Sequence, residues 1–133
     1  MRIANGVFLL IFLLSCAVQL NDPDPYLWVF YYGVAAVFAA LGIANIYTPF
    51  AAIAAIAFVA GWAYSMPSWS ADTLALLLKE KTMTSPEVEE AREAFGLLIC
   101  AFWMAVQAII WFRRKNNSKS DAQPKQAADS NQG

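Results

Sequence analysis

Three long segments of the chain are apolar and contain no Asp, Glu, Lys or Arg: residues 3–21, 25–71 and 94–112. A helix on the surface of a soluble domain needs a polar face, so its charged residues recur every few positions. A bilayer core about 30 Å thick is instead crossed by roughly 20 apolar helical residues. The first and third segments each suit one crossing, and the middle segment is long enough for two. The pattern therefore predicts an all-α protein that spans a membrane four times.

The run Asn45-Ile46-Tyr47-Thr48-Pro49 divides the middle segment. Thr48 suits the N-cap of a new helix and Pro49 suits its first position, so a tight turn is predicted here. We predict a four-helix transmembrane bundle whose helices lie near residues 4–20, 25–45, 49–66 and 86–112.

The two polar stretches of the chain have different compositions. Residues 68–81 mix Leu and Trp with charged side chains, which predicts a short interfacial helix between helices 3 and 4. Residues 113–133 are almost entirely polar, which predicts a disordered tail. We therefore place a single membrane domain at residues 1–112.

Helices 2 and 3 are rich in small residues, which let two helices approach closely in a membrane. Their spacing of four positions predicts that these two helices pack together as a hairpin. The small pairs are Ala36/Ala40, Ala51/Ala55 and Ala57/Gly61.

Composition sharpens the membrane prediction. Hydrophobic residues make up 59% of the chain and charged residues only 14%, and the net charge is −1. A soluble domain carries closer to about a quarter charged residues. These values exclude an ordinary soluble domain, a nucleic-acid binder and a disordered chain.

The charges also predict an orientation, because Lys and Arg favour the cytoplasmic side of a membrane. Four crossings put both termini on one side, and that side collects six of the nine basic residues: Arg2, Arg113, Arg114, Lys115, Lys119 and Lys125. The opposite side collects eight of the ten acidic residues. We therefore expect a plasma (inner) membrane protein with both termini cytoplasmic. Interfacial aromatic residues support these helix ends, including Tyr26, Trp28, Tyr31 and Tyr32 at the start of helix 2.

An alternative exists for the first helix. Leu13-Leu14-Ser15-Cys16 resembles a lipoprotein cleavage site, and cleavage there would leave three helices. The bulky Leu14 and the apolar run that continues to Leu20 argue against it.

The residue inventory gives little support for catalysis. The chain has no His, the usual general base and commonest metal ligand. Its two thiols, Cys16 and Cys100, belong to no C-x-x-C pair, and two unpaired thiols are expected over a disulfide between helices 1 and 4. We expect no enzyme, no catalytic residue, no metal site and no cofactor.

Ionisable residues are absent from the predicted membrane cores, where ion-coupled transporters usually place at least one. Gln19 is a strongly polar side chain deep in helix 1. Asn45 and Gln107 lie toward the other side of the membrane, where they suit hydrogen bonds between helices.

Polar and acidic residues concentrate on the predicted outer side, in the connection from helix 1 to helix 2 and at the entry to helix 4. Asp24 before Pro25 suits an N-cap followed by the first helical residue. A helical spacing predicts that one face of helix 4 contacts other helices; a solvated charge run is the alternative. This face carries Glu89, Arg92, Glu93, Gly96 and Cys100. We call the candidate site the outer polar cluster; it comprises Gln19, Asn21, Asp22, Asp24, Glu89, Glu90, Arg92 and Glu93.

Two motifs within this cluster resemble a known family. Gln19-x-Asn21-Asp22-Pro23-Asp24, followed by Trp28, resembles the hallmark of the transmembrane protein 220 family, and Glu89-Glu90-x-Arg92-Glu93-x-x-Gly96-Leu97 resembles its second motif. The resemblance covers about residues 5–112. It implies a small multi-pass membrane protein and implies no assigned reaction.

The motifs suggest a contact between helices. We hypothesise that Arg92 pairs with Asp22 or Asp24, and that Gln19 and Asn21 complete the hydrogen bonds. A structural or interaction role is the favoured function, with membrane lipid, a protein partner or a second copy of the chain as partners. The alternatives are a cation- or headgroup-binding module or small transporter, in which the acidic residues hold a cation, and a lipid-modifying enzyme that uses carboxylates as acid and base.

Overall fold

The computed structural model describes residues 1–20, 25–64 and 86–129, and the side chains within 1–20, 25–64 and 92–119. These ranges form four helices: α1 (Arg2–Gln19), α2 (Pro25–Ile43), α3 (Phe50–Tyr64) and α4 (Pro86–Asp129). The predicted all-α, four-helix architecture is confirmed. The interfacial helix predicted at residues 68–81 lies outside the described residues.

Three of these helices are long and apolar enough to cross a membrane: α1, α2 and the 92–119 part of α4. α3 has 15 residues and belongs to the shorter apolar helices. At 1.5 Å per residue it extends about 22 Å, less than the thickness of a typical hydrocarbon core.

The turn between α2 and α3 is built around Asn45, which has a φ of 68°. The Asn45 N–H donates to the Gly42 carbonyl at 3.2 Å, and the Ile46 N–H donates to the Leu41 carbonyl at 2.9 Å. These two bonds form a Schellman motif, which satisfies carbonyls at a helix end and requires a left-handed residue. Asn tolerates that conformation better than most residues, so the predicted turn forms where the Asn stands.

α1 packs along α2, and α3 packs along α4, while α2 also contacts α4. The prediction that helices 2 and 3 pack together as a hairpin is therefore wrong, because each of them packs mainly against a different helix. The small residues of α2 serve a different contact, because Gly42 lies directly against the Asn5 side chain of α1. On α3, Gly61 similarly faces Leu97 of α4.

One stripe of α4 faces the α1–α2 pair and joins the two halves of the bundle. The Trp103 ring stacks on Phe8 of α1, with ring centroids 3.8 Å apart. Further along the same stripe, Gly96 meets Tyr32 of α2, and Gln107 meets Asn5 of α1. The spacing of 96, 103 and 107 keeps these residues on one side of a helix.

The contact between α1 and α4 also orders the two ends of the bundle. Because Asn5 meets Gln107 and Tyr32 meets Gly96, the start of α1 lies beside the late part of α4. We call this the terminus end, and the opposite end, where Gln19 and Arg92 lie, the motif end.

α4 extends beyond its predicted end at residue 112 and continues to Asp129. The side chains of residues 112–119 are all exposed, although Arg114 still contacts the α2–α3 turn. This helical backbone differs from the disordered tail expected from residue 113. The division of the chain into a membrane domain and a tail stays a prediction.

Candidate functional site

Gln19 is the last residue of α1 and lies inside the bundle, with 8% of its surface exposed. It borders a groove of about 380 Å³ between α1 and α2, which Tyr32 also lines. The assignment of Gln19 to the outer polar cluster stays a prediction, because Asn21, Asp22 and Asp24 lie outside the described residues. The structure adds Tyr32 to the same region.

Arg92 and Glu93 lie on α4, and both side chains are half-buried and interact within the protein. A wholly solvated charge run would leave both side chains exposed, so this part of α4 is not simply a solvated face. That Arg92 and Glu93 contact other helices stays a prediction.

One turn further into the bundle, Gly96 is buried against the Tyr32 phenol. The Tyr32 hydroxyl occupies the space that a Cβ at position 96 would need. Gly96 therefore allows α2 to approach α4 closely. Arg92 is four residues earlier on the same face of α4, one helical turn toward the motif end. The second motif therefore places a charged residue, Arg92, one turn from the close contact between Gly96 and Tyr32.

The aromatic residues at the start of α2 divide into two groups that the sequence treats alike. Tyr26 is 89% exposed, which agrees with an interfacial anchor. Trp28 is only 4% exposed and belongs to the core, with its ring 5.9 Å from Tyr31 and 6.4 Å from Tyr32. The interfacial prediction is therefore wrong for Trp28, because this position turns toward the other helices.

The side chains of the other predicted members of the outer polar cluster are not among those that the structure describes. Asn21, Asp22 and Asp24 lie outside the described residues. Glu89 and Glu90 lie on the helical backbone near the start of α4, where carboxylates suit the helix dipole, but their side chains are also outside the described set. The pairing of Arg92 with Asp22 or Asp24 stays a prediction.

A second polar cluster lies at the terminus end. Asn5 is fully buried and Gln107 is 2% exposed. Gln107 Nε2 donates to Asn5 Oδ1 at 2.5 Å, and Asn5 Nδ2 donates to the Tyr47 hydroxyl at 3.4 Å. The Tyr47 hydroxyl donates in turn to the Gly42 carbonyl at 3.4 Å. These bonds connect α1, α2, α4 and the α2–α3 turn.

Arg114 extends this second cluster to the surface. Its two terminal nitrogens donate to the Asn45 carbonyl at 3.3 Å and to Asn45 Oδ1 at 2.9 Å. Its guanidinium carbon also lies 4.3 Å from the centroid of the Tyr47 ring. The left-handed turn at Asn45 thus presents two oxygens to one guanidinium, a fork geometry that Arg matches well.

The sequence anticipates part of this terminus-end cluster. It predicts hydrogen bonds between helices for Asn45 and Gln107, which the structure places with Arg114 and Asn5. It does not single out Asn5, Tyr47 or Arg114. The available signal for Asn5 was an amide within a charge-free apolar segment, where a polar side chain is costly unless paired.

The two thiols are unpaired in the structure, in agreement with the favoured interpretation. Cys100 is fully buried, and Cys16 Sγ lies 3.7 Å from the Val29 carbonyl oxygen. In the part of the chain that the structure describes, no group of three His, Cys, Asp or Glu residues is arranged to hold a metal ion.

The long apolar helices, the exposed apolar surface and the internal polar pairs define a small multi-pass helical membrane protein. Residues 11–109 match the family described as Transmembrane family 220, helix, and the chain belongs to this family. The match spans most of the chain and includes both motifs. No solved structure matches the chain.

Proposed function

We propose that this protein has a structural or interaction role in the membrane, in which the polar residues fix the helices and the motif end presents a docking surface. The observation that carries this proposal is the Asn5–Gln107 pair, which is buried and bonded across the bundle at 2.5 Å. Gln107 donates to the Asn5 oxygen and Asn5 donates to the Tyr47 hydroxyl, as expected for polar residues that set how helices pack.

The motif end supports the interaction part of the proposal. Arg92 and Glu93 are half-buried above the close contact of Gly96 with Tyr32. Charged groups positioned on tightly packed helices form a preorganised surface for a protein partner or a second copy of the chain. The proposal includes no catalytic step, since the chain has no His and neither motif contains a recognisable nucleophile and base.

We further propose that both termini lie in the cytoplasm and that the protein belongs to the plasma (inner) membrane. The asymmetry of basic residues supports this orientation. A reporter domain that is active only in the cytoplasm, fused after Gly133, is expected to be active. An inactive reporter together with an active one inserted at Ser85 would reverse the orientation.

The cation-binding alternative makes a different prediction for purified protein. If the protein has the proposed structural role, its unfolding temperature is expected to stay the same when Ca²⁺ or Mg²⁺ is added at constant ionic strength. A rise that Asp22→Asn abolishes, and that Asp121→Asn in the tail leaves intact, would overturn the structural role in favour of cation binding. Asp121→Asn is the matched control, since it removes one carboxylate at the other end of the protein.

The hypothesised Arg92–Asp22 pair is tested by exchanging the charges. Arg92→Asp and Asp22→Arg are each expected to destabilise the protein, and the double variant is expected to recover part of the loss. Leaving one charge of a buried pair without its partner costs roughly 3–5 kcal/mol, whereas a solvated pair contributes under about 1 kcal/mol. Thermal unfolding in detergent measures the stability of each variant. A double variant that is no more stable than the less stable of the two single variants would argue against the contact.

A further inference from the structure

Exposed basic residues follow the apolar part of α4 at the terminus end. Arg113, Lys115 and Lys119 lie on a continuous helix, and all three side chains are exposed. Residues two apart on a helix point in different directions, so Arg113 and Lys115 do not share one face. We call these three residues the cationic girdle. Residues 94–120 contain no acidic residue, and the next one along α4 is Asp121, two positions after Lys119.

The girdle lies at the level expected for lipid headgroups. Trp111 and Phe112 directly precede it, and Trp favours the interface between membrane and water. Lys115 Nζ lies 4.7 Å from the centroid of the Trp111 ring, so this ammonium group is held beside the aromatic residue. Lys119 follows Lys115 by four residues and therefore extends the same face outward.

Arg114 stands among these residues but has a different role. Its guanidinium is bonded to both oxygens of Asn45 and lies over the Tyr47 ring. Those contacts attach α4 to the α2–α3 turn where the apolar segment ends. Arg114 thereby fixes the position of the helix that carries the girdle, whereas the girdle's own side chains remain available to bind a partner.

We propose that the cationic girdle is a docking surface for anionic phospholipid headgroups in the leaflet at the terminus end. Charge complementarity favours this occupant, since Arg and Lys both bind phosphate oxygens. Its position beside Trp111 favours a lipid over a soluble acidic partner, because the bilayer supplies anionic headgroups at that depth. The proposal does not depend on the structural or interaction role proposed above.

The full-length protein, reconstituted in nanodiscs with equal amounts of phosphatidylglycerol and phosphatidylcholine, tests the proposal. After transfer to mild detergent, native mass spectrometry measures the ratio of the two retained lipids. The wild type is expected to retain phosphatidylglycerol in excess. The triple variant Arg113→Gln/Lys115→Gln/Lys119→Gln is expected to lower that ratio by at least about fivefold, the factor that one basic residue near an anionic surface supplies.

Two controls separate charge from folding. Asn116→Gln/Asn117→Gln changes exposed residues on the same helical stretch and is expected to retain the lipid preference. Arg113→Lys/Lys115→Arg/Lys119→Arg keeps the charges and is also expected to retain it. The triple Gln variant should unfold at the wild-type temperature, because the side chains it replaces are exposed. High salt should reduce the wild-type preference.

A wild-type protein that retains both lipids equally, or a triple Gln variant with the full preference, would overturn the proposal. Displacement of phosphatidylglycerol by a polyglutamate peptide at matched ionic strength would also overturn it and assign the girdle to a soluble acidic partner.

Discussion

At the terminus end, the buried side chains of Asn5 and Gln107 are uncharged amides, and hydrogen bonds join them to each other and to the half-buried phenol of Tyr47. Asn5 alone joins Gln107 on α4 and Tyr47 in the α2–α3 turn. At the motif end, the polar groups of α4 are ionised and only half-buried, and the close approach of helices depends on Gly96 beneath Tyr32. The two ends of one small bundle thus hold their helices by different means.

The difference follows from the cost of burying each kind of group. An amide can be buried fully when its donors and acceptors are paired, whereas an ionised side chain loses far more solvation. The charged residues of the motif end therefore remain partly accessible, as the proposed docking role requires. The paired amides of the terminus end have little capacity left for one.

Among the contacts that the structure places, the largest effect is expected from the packing at the motif end. Gly96→Ala places a methyl group where the Tyr32 hydroxyl lies, so the Tyr32 side chain or the spacing of α2 and α4 must shift. Overpacking of this kind costs about 1–3 kcal/mol, and we expect a loss of that size in the free energy of unfolding in detergent. Tyr32→Phe removes the clashing oxygen, so the double variant Gly96→Ala/Tyr32→Phe should recover much of the loss.

Gly33→Ala is the matched control, since Gly33 is also on a membrane helix but has open space around it. It is expected to leave stability unchanged or raise it slightly. Equal losses from Gly33→Ala and Gly96→Ala would show that the effect is not the Tyr32 contact, and would remove the distinction between the two ends.

A smaller effect is expected from the amide pair at the terminus end. Asn5→Ala and Gln107→Ala each leave the other amide without its partner, so the double variant should lose less than the sum of the single variants. Hydrogen bonds between membrane helices contribute about 0.6–2 kcal/mol, and we expect a coupling energy in that range. A double-mutant cycle of unfolding free energies measures it, and strict additivity would contradict the paired description.

The sequence predicts the helices well because the charge-free segments and the turn at Asn45 are local signals. The pairing of those helices is poorly predicted, since almost every face in a membrane protein is apolar and hydrophobicity does not separate lipid contacts from helix contacts. Trp28 shows the consequence: a Trp near a helix end is typical of the membrane interface, yet this side chain is buried among the helices. Tyr32 was missed for the same reason, although the neighbouring motif glycine was a signal that some side chain needed its space.

Arg114→Gln provides the smallest and sharpest comparison, because it changes the one ionised group that belongs to the terminus-end cluster. The variant loses the cation–π contact with Tyr47 and the charge in the bonds to Asn45. The site is exposed, so a loss of only about 0.5–1 kcal/mol is expected.

Arg113→Gln, one residue away and without these contacts, should leave thermal stability unchanged. If Arg113→Gln destabilises the protein as much as Arg114→Gln, the Asn45–Tyr47 contact has no special role. A loss at Arg114 alone would show that even a charged residue at this end serves to join helices, as its amides do.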